Sequence, residues 1–275
     1  MLNGIKIGCR SWLWSLGVLA RSPLYVIVLA VLSAAWALAA YEWLWLPESS
    51  ALVLLLALVW ILALAAITVA ILAFTTAGAS AAASGVEQRI RLRASMKFGK
   101  RRFAWALVIL LIAFLVALTG SSFFGWLNDH ALNTASFLTL HLRKPVSYLF
   151  VGEVFWTLEA LFWIAVGGRL LRWLLVVSNT GWELRASTNV AVRLARFSNN
   201  FLTSLVGACV FGGLAWRVAS WHPLVKPGFW DYTQLAIRSG AALLLISLGW
   251  LFLMLSLARL GPQPVTEPRA APTRS

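Results

Sequence analysis

Few side chains in this 275-residue chain are placed to do chemistry. Glu159 stands near the middle of the apolar run at residues 150–168, and Glu153 lies closer to one end of it. A carboxylate at mid-membrane depth is costly unless it is protonated, bonded or turned toward an interior. Glu159 and Glu153 are therefore the candidate intramembrane polar site, and Glu159 is the residue a proton or cation would use. Trp156 and Trp163 fall three before and four after Glu159, on the same helical face. No lysine, arginine or second acid at matching depth completes a relay. The structural role is thus the stronger expectation: an acid that joins helices or meets another subunit.

The histidines are the other candidates, because imidazole can hold haem, a pigment or a metal. His130, His141 and His222 all fall in connections between apolar runs, whereas membrane haem is normally held between facing helices. The eleven-residue separation of His130 and His141 amounts to roughly 16 Å along a straight helix, too far to share one ion. An interfacial haem or pigment on one of the three is the only cofactor expectation, and no metal site is expected.

Enzyme signatures are missing. The chain has no His-Glu-x-x-His, no Gly-x-Ser-x-Gly, no phosphate-binding Gly-x-x-x-x-Gly-Lys and no Gly-x-Gly-x-x-Gly. The loop acids Glu48, Asp129, Asp231, Glu87, Glu183 and Glu267 are scattered singly. A non-enzymatic role is expected.

The elements that must position these residues are legible from composition. Hydrophobic residues make up 61% of the chain and charged ones 12%, against about 25% charged in soluble domains. Residues 51–74 and 103–124 carry no charge. Each run is long enough to cross about 30 Å of hydrocarbon as a helix. Between them lie Arg89, Arg91, Arg93, Lys97, Lys100, Arg101 and Arg102, with Glu87 the single acid. Such a cluster marks a cytoplasmic loop and offers a contact for anionic lipids or a partner. It is expected to be part helix and part coil, since its basic residues project all round a helical wheel.

The whole chain reads as an all-α integral membrane protein with six spans, at about 24–46, 51–74, 103–124, 150–168, 200–219 and 234–258. Residues 1–22 precede them as an amphipathic interfacial helix. In it Ile5, Cys9, Trp12, Leu16 and Leu19 form the apolar face that turns to the membrane, and Pro23 ends it. A signal-peptide reading with residues 37–40 as the cleavage site is set aside, because the apolar run continues to Leu46. A helix on the outer surface is expected within residues 125–147. Leu127, Ala131, Ala135, Leu138 and Leu142 fall on one of its stripes, and His130, Thr134, Phe137 and His141 on another. In span five Ser204, Ala208 and Gly212 recur every four residues beside Gly207 and Gly213. That pattern allows close approach and predicts the central, most tightly packed helix. Residues 260–275 form a Pro-rich cytoplasmic tail.

Six spans place both termini on the cytoplasmic side, with 18 basic residues there against five on the other. Glu42, Glu153, Arg217 and Arg238 then fall at similar depth near the outer surface, where pairing among them is expected. The net charge of +14 is explained by this topology and points to no nucleic acid. Cys9 and Cys209 are too far apart in depth to pair. Leu92-Arg93-Ala94-Ser95 recurs as Leu184-Arg185-Ala186-Ser187, which is compatible with a hairpin duplication without establishing one. Most of the sixteen tryptophans fall near span ends, and Trp36, Trp60 and Trp250 lie deeper. Size and compactness suit a bacterial inner membrane. The expected partners are the bilayer, its anionic lipids and other membrane subunits. The leading function is a non-catalytic, structural or accessory subunit of a membrane complex. The alternatives are a small transporter or channel using Glu159, and an interfacial pigment or haem binder using the histidines.

Overall fold

The computed structural model describes residues 2–45, 50–84, 89–90, 92–96, 99–180, 190–221 and 229–260. Arg91, Lys97, His222, the 184–187 copy of the tetrapeptide and the tail beyond Leu260 lie outside the described residues. Every described element is a helix, and six are long and apolar enough to cross a membrane.

In order they are α1 (Leu2–Ala20), α2 (Pro23–Leu44), α3 (Ala51–Ser84), α4 (Leu92–Met96), α5 (Lys100–Asp129), α6 (Ala131–Leu142), α7 (Tyr148–Thr180), α8 (Val190–Gly207), a π-helical turn (Ala208–Gly212), α9 (Gly213–Ala219) and α10 (Phe229–Leu260). Residues 198–219 make one continuous span, so the spanning helices are α2, α3, α5, α7, α8–α9 and α10. Helix α4 lies in the basic connection, whose last residues, Lys100, Arg101 and Arg102, open α5. The mean hydropathy of the spanning windows runs from 1.5 to 3.0. Lipid offers the backbone no hydrogen-bond partner, and a helix satisfies those groups within the segment itself.

The long helices outrun the bilayer. Helix α3 is more than thirty residues long. At a helical rise of about 1.5 Å per residue it reaches about 51 Å, while its first part, residues 51–74, reaches about 36 Å. The small-residue tract after Phe74 is not a loop. It continues α3 to Ser84, and every residue from Ala73 to Ser80 is buried.

The core sits at the end of the molecule that carries the basic connection. Val18 and Leu19 of α1, Tyr25, Val26 and Leu29 of α2, Phe74, Ala79 and Ala82 of α3, Leu175 of α7 and Leu251, Phe252, Met254, Leu255 and Leu257 of α10 form one buried cluster with Ile90. A second joins Val69 and Ala73 to Ala106 and Ile109 of α5 and Leu174 of α7. The central helix is α10, which packs against α1, α2, α3, α7, α8 and α9. Half of its spanning window is buried, against 22% for span five.

That corrects the expectation that span five is central. Its small residues do allow close approach over the first half of the stripe. Ser204 and Gly207 are buried, and a Cβ on Gly207 would stand 2.6 Å from Leu253 Cδ2. Beyond them the helix widens into the π turn, and Gly212 and Gly213 are exposed. Small residues mark where two helices touch, and centrality depends on how many neighbours a helix has.

Candidate functional site

Glu159 lies on α7, half-buried. Its Oε1 accepts a hydrogen bond from the indole Nε1–H of Trp163, one turn further along, at 3.2 Å. No described basic residue pairs with it, and Trp156 on the same face is 69% exposed. Trp163 is held against α5, where a Cβ on Gly120 would stand 2.8 Å from its ring. The carboxylate thus trims one edge of the α5–α7 seam, where Phe124 and Phe162 also meet at 5.4 Å. Glu153 is exposed. The structure does not bring it together with Glu159 through any described contact.

The expected pairing among Glu42, Glu153, Arg217 and Arg238 is not what the structure holds. Glu42, Glu153 and Arg217 are exposed, and neither acid has an ion-pair partner among the described residues. Arg238 donates instead to the backbone carbonyl of Trp221, just past the end of α9. A carbonyl left over at a helix end is a ready acceptor for a guanidinium.

Helix α6 docks its alanine stripe on α7, with Ala131, Ala135 and Val151 buried together and Leu138 beside them. Leu142 is exposed. The helix stops there because Arg143 adopts a left-handed conformation (φ 54°), two residues before Pro145. The second stripe faces away. The His130 Nδ1–H donates to the Trp126 carbonyl at 2.8 Å, and the His141 Nδ1–H to the Phe137 carbonyl at 3.0 Å. Each ring also packs at a tilt against the aromatic one turn back, with centroids 4.5 and 3.9 Å apart. Each imidazole is thereby held against its own helix. Among the described residues no group of three or more His, Cys, Asp or Glu comes together that could hold a metal ion.

Of the basic connection, Arg89, Arg93, Lys100 and Arg101 are exposed and Arg102 is half-buried. The same segment reaches inward at two points. The Ile90 amide donates to the Ser22 hydroxyl at 2.9 Å, and Ser95 is fully buried. Ser95 and the Tyr25 hydroxyl both close on Gly78, whose absent Cβ would lie 2.6 Å from the Tyr25 oxygen and 2.9 Å from the Ser95 oxygen. Tyr25 stacks on Phe74 at 4.7 Å and donates to its carbonyl at 3.0 Å.

Helix α1 carries contacts that its apolar pattern did not announce. Its buried face is Gly8, Ser11, Ser15 and Val18, with Leu19 beside them, and Ile7, Cys9, Leu13 and Leu16 are exposed. The docking face is thus the small and hydroxylated one. The expected apolar stripe is split, since Cys9 and Leu16 stay exposed while Leu19 is buried and Trp12 turns to the protein. Ser11 donates to the Ser256 carbonyl at 2.9 Å, the Ser15 and Ser256 hydroxyls meet at 2.8 Å, and Trp12 donates to Thr203 at 3.0 Å. Apolar side chains gain little by leaving lipid for protein, whereas hydroxyls and close backbones gain from a protein neighbour. The serine spacing at 11, 15 and 22 was the available signal.

The deep tryptophans act similarly. Trp36 of α2 donates to the Leu64 carbonyl of α3 at 3.3 Å, Trp60 of α3 donates back to the Ala39 carbonyl of α2 at 2.9 Å, and Trp250 donates to Thr75 at 3.4 Å. Comparison with protein-family models, with curated proteins and with solved structures finds no match for this chain.

Proposed function

We propose that this multi-helix membrane protein is a non-catalytic, structural or accessory subunit of a larger membrane assembly. The observation that carries the reading is the environment of Glu159. A carboxylate within the apolar part of α7, only half-covered by its own chain and bonded to one indole of its own helix, has bonding capacity that lipid does not meet. A polar group on a partner's helix would meet it. The buried hydroxyls of Ser11 and Ser15 support the same view, since they bond to Ser256 on α10, as polar contacts that fasten helices do.

The test is purification in mild detergent from the native membrane, followed by mass spectrometry. Stoichiometric recovery of other membrane proteins is expected. Recovery of the chain only as a monomer or homo-oligomer without cofactor overturns the proposal.

The proposed orientation puts both termini and the basic connection in the cytoplasm, in keeping with a bacterial inner membrane. In a Cys9→Ser/Cys209→Ser background, cysteines at the exposed Met96 and Ser50 should label from opposite sides. Labelling of both from one side refutes the six-span arrangement. Ser95 is unsuitable as a reporter because it is buried.

A further inference from the structure

Where α1 crosses the end of α10, the structure leaves a half-open recess of about 270 Å³ lined by Ile7, Arg10, Ser11, Trp14, Arg259 and Leu260. We propose that this recess is a binding site for the phosphate of an anionic phospholipid, distinct from the basic connection between α3 and α5.

Three observations carry it. First, two guanidinium groups reach the recess from different helices, and among the described residues neither Arg10 nor Arg259 has a carboxylate partner. Arginine presents planar paired donors that match phosphate oxygens, so two of them around one recess define an anion site with geometry. Second, the recess is built. Arg259 lies over the Trp14 ring at 5.3 Å, which limits its rotamers before any ligand arrives. The Ser11 hydroxyl is committed to the Ser256 carbonyl, so it ties the two walls together and does not compete for the ligand. Third, the rim is mixed. Ile7 is 55% exposed and Leu260 partly exposed, beside the two charges. A soluble phosphate compound has no use for that apolar edge, whereas glycerol and the first acyl carbons do.

The carboxyl end of α10 works against an anion, because its last carbonyls carry partial negative charge. That effect is smaller than the charged hydrogen bonds two arginines can donate, so the arginines decide the sign. The position also fits. Leu260 ends a helix whose apolar window crosses the membrane, so the recess opens at headgroup depth, where basic pockets between helices hold anionic headgroups.

The experiment is native mass spectrometry of the full-length protein in detergent, titrated separately with phosphatidylglycerol, phosphatidylcholine and inorganic phosphate. One saturable phosphatidylglycerol adduct is expected, with phosphatidylcholine and inorganic phosphate much weaker. Arg10→Gln and the double change Arg10→Gln/Arg259→Gln should each weaken that adduct, the double change by at least about tenfold. Arg93→Gln/Arg101→Gln, in the basic connection, should weaken it less than twofold. Arg10 is exposed and makes no described contact that folding needs, so Arg10→Gln remains informative if the double variant is unstable. Equal losses from both pairs of changes overturn the proposal, since diffuse surface charge would then explain binding. Inorganic phosphate binding as tightly as phosphatidylglycerol overturns its lipid part.

Discussion

The end of the molecule that carries the basic connection and the end opposite are built on different principles. At the basic end five helices and the returning segment with Ile90 and Ser95 enclose a continuous core. At the far end α2 has no buried residue beyond Leu29, and the first buried residue of α3 is Val69. There α6 packs on α7, and the indole bonds of Trp36 and Trp60 join α2 to α3. The basic end holds buried serines and threonines, the close approach at Gly78 and the buried tyrosine. The far end holds leucines facing outward, a few indole-to-carbonyl bonds and the small cluster of Ala131, Ala135 and Val151. Apolar side chains are content in lipid, so a membrane helix is gathered inward only where it carries small or hydrogen-bonding groups. The overhanging part of α3, rich in such groups, is where this chain is gathered.

On that contrast, the largest effect should come from adding one methyl group to the basic end. Gly78→Ala places a Cβ 2.6 Å from the Tyr25 hydroxyl oxygen and 2.9 Å from both Ile90 and Ser95. Overpacking of this kind costs about 1–3 kcal/mol. Gly152→Ala, in the far half of α7 with no atom within 4 Å, should be neutral or slightly stabilising. Thermal unfolding in detergent compares the two directly, and equal midpoints for both variants would show that the basic end is not tightly packed.

A smaller effect is expected where α1 docks. Ser11→Ala/Ser15→Ala removes two bonds to Ser256. Interhelical bonds in membranes average about 0.6 kcal/mol, with a maximum of about 1.7 kcal/mol. Leu13→Ala changes a side chain that is 70% exposed and should leave α1 seated. Hydrogen exchange along α1 separates the alternatives. Faster exchange in the leucine variant, with the serine variant unchanged, would make the apolar face the docking face.

These two predictions also mark what the sequence reveals and what it leaves hidden. Apolar length and the position of charge identify six spans, because lipid demands length and excludes charge whatever the tertiary structure. The docking faces are another matter. Leu251 and Leu255 of α10 are fully buried, Leu54 and Leu58 of α3 are more than half exposed, and as residue types they are identical. In water that difference would show as periodicity; in lipid it does not. Residues 75–84 were readable as small but not as the most buried part of α3, since low hydropathy there resembles a loop. Glu159 was legible as an anomaly, and its Trp163 partner was legible from the four-residue spacing. The recess between Arg10 and Arg259 was not, because no local pattern joins the two ends of the chain.

At the far end the α2–α3 pair is stitched by the reciprocal indole bonds of Trp36 and Trp60. Trp36→Phe/Trp60→Phe keeps aromatic rings and removes both donors. The expected loss is under about 1 kcal/mol, because the core does not extend there. Hydrogen exchange should rise over residues 52–62 while Tyr25, Phe74 and Leu255 stay protected. Loss of protection at those core positions would show that the two ends are coupled, and the contrast between them would fail.

The smallest change in stability is expected at Glu159, and it carries the most information about function. Glu159→Gln keeps the side-chain oxygen that accepts the Trp163 indole N–H, so Trp163 should stay seated over Gly120 and the α5–α7 seam should hold. The expected change is within about 0.5 kcal/mol, the range of substitutions that break no buried network. Glu159→Leu removes the acceptor and leaves the indole N–H unbonded, so it should cost more than the glutamine change. An assembly role predicts that the glutamine variant recovers the same partners as the wild type, since an amide still bonds across an interface. A transport role predicts the same intact fold with a different defect: flux through reconstituted vesicles would be robust in the wild type and absent in Glu159→Gln. Measuring both variants in one preparation decides between them, because only the second role requires a group that titrates.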